Sequence, residues 1–460
     1  MPLFVVRHGH DPANCPAADP GAGAELLNHL GARRDGLRVH GEAVVRGQHA
    51  MVAIVEATDE DRLQEFLAPF AAAGDVEVLA ASTCAGVIVR GGCVAPRVRV
   101  NGAGPLIEPE QACQDAIDAG LVLHRAHPLN CQTELGGLIG GVVMPNARFY
   151  VRNHFHIPRL DASAWRLVVR GHIRRPLSLT LSELRSMRSH TVVATLECAG
   201  NGRTRFLPLT AGEQWRLGAV STAEWTGVPL AEVLERCRPR TSAREVVFRG
   251  GDSGHVPGRR EQIRYERSLS LEDAVDSDAL LAYAMNGEPL PAHHGHPLRL
   301  IVPGWFAMAS VKWLADIELI DREFEGHFQT ETYVYEYPDG AREPVSRQNV
   351  RSVITEPTAG ERRGRGPLTI RGVAWSGEAP IRKVEVSAGG GPWIEASLIG
   401  EPTRHGWRWW EVLTRIDHVG AVTLRVRATD DAGRTQPENA RWNRMGYGND
   451  AIHEIVVHLR

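Results

Sequence analysis

Of the seven cysteines, at positions 15, 84, 93, 113, 131, 198 and 237, one stands where chemistry could use it. Thr195-Leu196-Glu197-Cys198-Ala199-Gly200-Asn201-Gly202-Arg203 ends an apolar run and enters a loop of small residues. The Cys198 thiol is therefore expected at a strand end, beside backbone that a bulky group can approach closely. Arg203 nearby favours the thiolate, the form that ligates metals. Thiolate is a soft ligand, better matched to a redox metal than to magnesium or calcium. On the residues alone, an inert buried cysteine is the simpler reading. A second set lies near the start of the chain: His8, His10, Cys15, His29, His49, Cys84 and Cys93. His8-x-His10 on a strand puts both rings on one face, as a metal or redox site would need. Their spacings match no standard zinc pattern, so polar residues scattered on a small sheet are the competing reading.

The segment around Cys198 resembles the molybdenum-binding segment of sulfite oxidases and assimilatory nitrate reductases. Further segments similar to that family follow its order: Tyr150-Val151-Arg152-Asn153-His154, then residues 215–228, 281–290, 294–299 and 303–314, and Ile354-Thr355-Glu356-Pro357. One such motif is weak; an ordered set over about residues 120–460 is specific. The resemblance, to the sulfite oxidase family of molybdopterin oxidoreductases, implies that Cys198 is the protein's one ligand to molybdenum. It further implies that Val151, Arg152, Asn153, His154, Asp252, Ser253, His294, Arg299, Ser310, Val311 and Lys312 line the pterin and its phosphate, and that Arg152, Arg203, Trp215 and Tyr333 face the substrate. The chemistry is coherent. A phosphate suits arginine forks and a lysine point charge, clustered cations suit an anionic substrate, and a tyrosine can shuttle a proton.

Two departures from the family bear on partner and substrate. There is no His-Pro-Gly-Gly and no Cys-x-x-Cys-His segment, so no haem is expected and electrons must pass to or from a separate carrier. Sulfite-oxidising members carry an arginine in a Trp-Asn-x-Arg-Gly segment that reaches the pocket. This chain reads Trp442-Asn443-Arg444-Met445-Gly446, with methionine there as in nitrate-reducing relatives. On a strand, the adjacent Arg444 would point to the opposite face.

The elements that must position these residues form an α+β chain in several parts, as 460 residues require. Residues 1–93 read as a βαββαβ ferredoxin-like unit: strands at 3–7, 39–46, 49–56 and 76–80, and helices at 24–30 and 62–70, the second capped by Thr58 or Asp59. Residues 94–120 read as a linker with one short helix near 108–119. Residues 121–345 read as a mixed α+β molybdopterin-binding domain. Its strands are expected at 165–170, 191–196, 245–249, 298–302 and 311–320, with a capping box at Thr180-Leu181-Ser182-Glu183 and a helix starting at Pro229. Residues 346–460 alternate with period two between Gly and Asp turns, the pattern of an immunoglobulin-like sandwich, which the resemblance makes a homodimerisation domain.

Net charge of −3 speaks against a nucleic-acid binder. No apolar run reaches the ~18 residues of a membrane helix, and the first residues show no leader pattern, so a cytoplasmic chain is expected. The reading is a haem-free molybdopterin enzyme transferring an oxygen atom to or from a small anion. The alternatives are a nitrate or sulfoxide reductase using the same cofactor, and a cofactor-free, partner-binding scaffold.

Overall fold

The computed structural model describes residues 3–9, 20–32, 34–44, 50–73, 75–81, 109–138 and 141–460. The chain divides into two units, Met1–Gly102 and Ala103–Arg460.

The first unit runs β1 (Leu3–Gly9), α1 (Pro20–Gly31), β2 (Leu37–Val44), β3 (Ala50–Ala57), α2 (Glu60–Ala73) and β4 (Asp75–Ala81). Its sheet order is β2-β3-β1-β4 with every pair antiparallel, the ferredoxin-like arrangement. Leu63, Phe66, Leu67 and Phe70 recur at helical spacing along α2 and bury against Val6, Ala53 and Val55. Asp59 caps that helix, accepting the Arg62 N–H at 2.9 Å. Two residues of the early histidine set are absorbed by this core. The His8 ring is buried, edge-on to Phe70, and His29 Nε2 bonds the Phe66 carbonyl at 2.8 Å. His10, Cys15, His49, Cys84 and Cys93 lie outside the described residues, among which no cluster of three metal-type ligands occurs.

The stretch read as a linker is only partly one. Pro109–Asp118 is a helix whose Ala112 and Ala116 pack with Leu121, Leu129, Cys131 and Val151, so it is built into the second unit. Two five-stranded sheets follow. One joins His190–Glu197, Val220–Pro229, Leu280–Met285, Glu288–Pro289 and Arg299–Ile301. The other joins Ile263–Ser270, Glu245–Gly254, Leu314–Ile320, Arg166–Gly171 and Leu177–Thr180, with a parallel pair between Leu314–Ile320 and Arg166–Gly171. The capping box forms: Thr180 Oγ1 accepts from the Glu183 N–H, and Glu183 Oε2 from the Thr180 N–H.

The strand expected from residue 311 starts at Leu314. A 3-10 turn at Ala307–Ala309 and a left-handed Trp313 (φ 51°) interrupt the extended chain before it. The break leaves Lys312 in a loop, free to enter the interior. The C-terminal part is a sandwich. Arg351–Glu356, Gly366–Trp375, Arg408–Ile416 and Ser397–Ile399 form one sheet; Arg362–Arg363, His453–Leu459, Gly420–Asp430, Ile381–Ala388 and Ile394–Glu395 form the other. Alternate residues such as Ile370, Val384, Val386, Leu424, Val426 and Val457 fill the space between them.

Candidate active site

Cys198 follows directly on the strand His190–Glu197. Its N–H donates to the Ala219 carbonyl on the neighbouring chain (2.9 Å), and the loop turns back as the Asn201 N–H reaches the Cys198 carbonyl (2.8 Å). Gly202 takes φ 82°, which its missing Cβ permits. The sulfur lines a cleft. Around it stand Arg152, Asn153, His154, Asp252, His294, Arg299, Ser310, Lys312 and Tyr333, all singled out from the sequence.

Asn153, Lys312, Arg299, His154 and Tyr333 are held by hydrogen bonds. Asn153 is locked by its N–H on Asn130 Oδ1 (2.8 Å) and its Nδ2 on the Leu129 carbonyl (2.9 Å). Lys312 Nζ donates to Asn153 Oδ1 and to the His293 carbonyl. Arg299 donates to the His294 carbonyl at 2.9 Å and the Ser310 carbonyl at 3.3 Å, while its Nε finds no partner among the described residues. Tyr333 Oη and His154 Nε2 are 2.8 Å apart.

The electrostatics follow from burial. It pushes the Lys312 ammonium well below its usual pKa, with Arg299 adding repulsion. It lowers Arg299 to about 10 and holds His154 and His294 well below the ordinary imidazole value, hence neutral. Asp252 is raised to about 6, burial outweighing the pull of Lys312. The Cys198 thiol is also raised by burial, and Arg152 and Arg203 only partly offset it. Arg203 thus acts in the direction expected, favouring the thiolate, while desolvation opposes it more strongly.

Other expected residues sit elsewhere. Trp215 is fully buried beside the His124 ring and does not line the cleft. Arg203 is buried behind the wall, its Nε on the Met445 carbonyl (2.9 Å), its Nη1 on the Glu213 carbonyl (2.6 Å) and its guanidinium over Tyr447. Ser253 is exposed. Val151 is buried and exchanges backbone hydrogen bonds with Cys131, and Val311 is a core residue. Conversely, Tyr150, Tyr265, Met308 and Trp313 line the cleft without having been singled out. Tyr265 donates to the Met308 carbonyl at 2.7 Å, but a tyrosine inside a strand carries no spacing signal. Arg444 is 66% exposed and ion-paired with Glu336, whereas Met445 packs against the core beside the site.

Comparison with known proteins agrees with this geometry. An oxidoreductase molybdopterin binding domain model matches residues 154–328, and a Mo-co oxidoreductase dimerisation domain model matches residues 342–460. Mitochondrial sulfite oxidase of Mus musculus is 34% identical over 363 residues, covering 74% of this chain and 66% of that one. Sulfite oxidase of Gallus gallus is 34% identical over 73% of this chain and 77% of its own length. This chain belongs to the sulfite oxidase family. Nitrate reductase [NADH] 1 of Oryza sativa subsp. japonica is also related, at 34% identity over 77% of this chain and 44% of its own. The sulfane dehydrogenase SoxCD from Paracoccus pantotrophus superposes with TM-score 0.65 and 28% identity over 72% of this chain and 87% of that one. The chain thus spans just under two thirds of the mouse relative's length. In this family member, residues 3–88 match a domain of unknown function, DUF3303.

The cleft fits a molybdopterin cofactor. Arg152, Arg299 and Lys312 gather there against the single carboxyl of Asp252 among the lining residues, and Arg299 Nε and His293 Nδ1 are buried without partners. Uncompensated buried cations are costly unless an anion completes them, and a phosphate supplies that charge.

Proposed function

We propose that the chain is a molybdopterin-dependent oxidoreductase performing sulfite-oxidase-like oxygen-atom transfer on a small anion, with Cys198 as the protein's ligand to molybdenum. The observation that carries this reading is one cleft uniting a thiol with under-compensated cations. When bound, the cofactor supplies the two-electron change and the oxygen transfer. Arg299, Lys312, His294 and Ser310 hold its phosphate and pterin, with Val151, Val311 and Ser253 contributing from behind. Arg152 attracts the substrate anion, and Tyr333, bonded to neutral His154, holds or moves a proton at Oη. Arg203 and Trp215 support the Cys198 loop from behind the wall. The sandwich pairs two chains, electrons pass to or from a separate carrier, and no haem takes part. Among the described residues no helix is long and apolar enough to cross a membrane; we place the enzyme in the cytoplasm.

A second reading concerns substrate. Met445 stands where sulfite oxidisers carry arginine, and Arg444 is turned to Glu336. A less charged or bulkier ligand then suits the pocket, such as nitrate, a sulfoxide or the sulfane sulfur named for the SoxCD neighbour. Steady-state assays of the wild type with sulfite and an artificial acceptor, and with nitrate and a reduced donor, distinguish the substrates. Turnover by wild type that vanishes in Cys198→Ser supports the reading, and undiminished turnover in that variant removes Cys198 from the chemistry.

A further inference from the structure

Glu197 immediately precedes Cys198 and is completely buried, yet donors meet both of its oxygens. Arg351 Nη1 donates to Oε1 at 2.5 Å, Asn201 Nδ2 to the same oxygen at 3.0 Å, and Trp375 Nε1 to Oε2 at 2.8 Å. Arg351 Nη1 also reaches the Asn201 carbonyl (3.2 Å), while Asn201 Oδ1 accepts from the Ala219 N–H (3.1 Å). Two of these donors come from the sandwich, where Arg351 and Trp375 face each other across paired strands. The guanidinium lies over the indole, 5.6 Å from the ring centroid. On the other side of the cysteine, the Gly448 N–H of the sandwich reaches the Ala199 carbonyl at 2.8 Å.

A buried ion pair is weak evidence for stability, because desolvation offsets much of its attraction; fixing one arrangement is its better-attested use. Here the arrangement fixed is that of the peptide carrying the sulfur. With one oxygen on Arg351 and Asn201 and the other on Trp375, the carboxylate cannot rotate without losing a donor.

We propose that Glu197, Arg351 and Trp375 form a clamp that positions the Cys198 sulfur, making the sandwich a working part of the site as well as a pairing domain. The identity of Cys198 as metal ligand rests on the function proposed above; the clamp itself does not. All three are positioning residues.

The test uses the full-length chain, produced with and without molybdate. Trp375→Phe removes one hydrogen bond and keeps the bulk. Glu197→Gln combined with Arg351→Gln removes both charges and keeps the volume. Arg351→Lys tests rescue against Arg351→Gln. Without molybdate, iodoacetamide labelling of Cys198, read by peptide mass spectrometry, should rise several-fold in Trp375→Phe and in the paired variant, because a loosened loop opens more often. Lysine at 351 should restore part of the protection. With molybdate, the thiolate-to-molybdenum absorption band should shift and kcat fall while KM holds. Unchanged labelling together with an unchanged band overturns the clamp; if the paired variant does not fold, Trp375→Phe decides alone. Faster labelling in a chain that binds no molybdenum keeps the clamp and removes the cofactor reading.

Discussion

Arg299 and Arg351 are the same residue type and nearly equally buried, at 4% and 3% exposure, but their surroundings differ. Arg351 meets the carboxylate of Glu197. Arg299 meets two backbone carbonyls and no carboxylate among the described residues, and it repels Lys312 across the cleft; Nε is unpaired in both arginines. One region has its counter-charge built in; the other is complete only when an anion arrives. Burial and charge therefore do not identify a binding residue by themselves. The missing counter-charge does.

Arg351→Gln should break that contrast most severely. It strands Glu197 in a dry interior, and removing one member of a buried pair costs about 3–5 kcal/mol. Urea unfolding should register this loss, while the combined Glu197→Gln and Arg351→Gln variant recovers most of it. Arg299→Met should do the reverse. The cofactor-free chain is expected to be no less stable, because an uncompensated cation has gone. Retention of the phosphate-bearing cofactor should weaken by about 1.5–3 kcal/mol, the worth of a charge-assisted bond, as dialysis followed by pterin fluorescence would report.

Met445 packs against the core that carries Tyr333, and Met445→Arg should lower KM for sulfite by roughly ten- to hundredfold for the same reason. Arg444→Ala should change it little, since Arg444 is engaged with Glu336. Tight sulfite binding that collapses in Arg444→Ala would reverse this assignment.

A separate effect is a pH dependence in the sandwich. Burial, with Arg205 and Arg351 adding repulsion, lowers His453 to about 3, and its Nδ1 accepts the Ile354 N–H at 2.9 Å. The native state keeps this ring neutral while the unfolded chain protonates it near pH 6.5. Its contribution is therefore full above pH 6.5 and is lost as pH falls from 6.5 toward 3, at no more than about 1.4 kcal/mol per pH unit. Urea midpoints measured from pH 7.5 to 4.5 should fall less steeply in His453→Gln.

The sequence made much of this legible where local pattern suffices. The βαββαβ order, the capping box and the period-two strands all depend on neighbours a few residues apart. The loop from Leu196 to Arg203 carried its own motif, and the cleft cations came from ordered segments. What sequence hid was pairing at long range. Nothing near Glu197 announces a partner 154 positions away, and nothing near Arg203 says that the Met445 and Glu213 carbonyls occupy it. Trp215, expected at the substrate, is a core residue because the fold closes over it. Among three neighbouring tyrosines, only burial and the bond to His154 single out Tyr333.

The central claim, that the cleft at Cys198 holds a molybdopterin cofactor, is tested most directly by metal and pterin analysis of the purified full-length chain. About one molybdenum and one pterin per chain are expected, with a thiolate-to-molybdenum absorption band that disappears in Cys198→Ser while most of the pterin stays. A chain that carries neither group when produced with molybdate, or a band that survives Cys198→Ser, would contradict it.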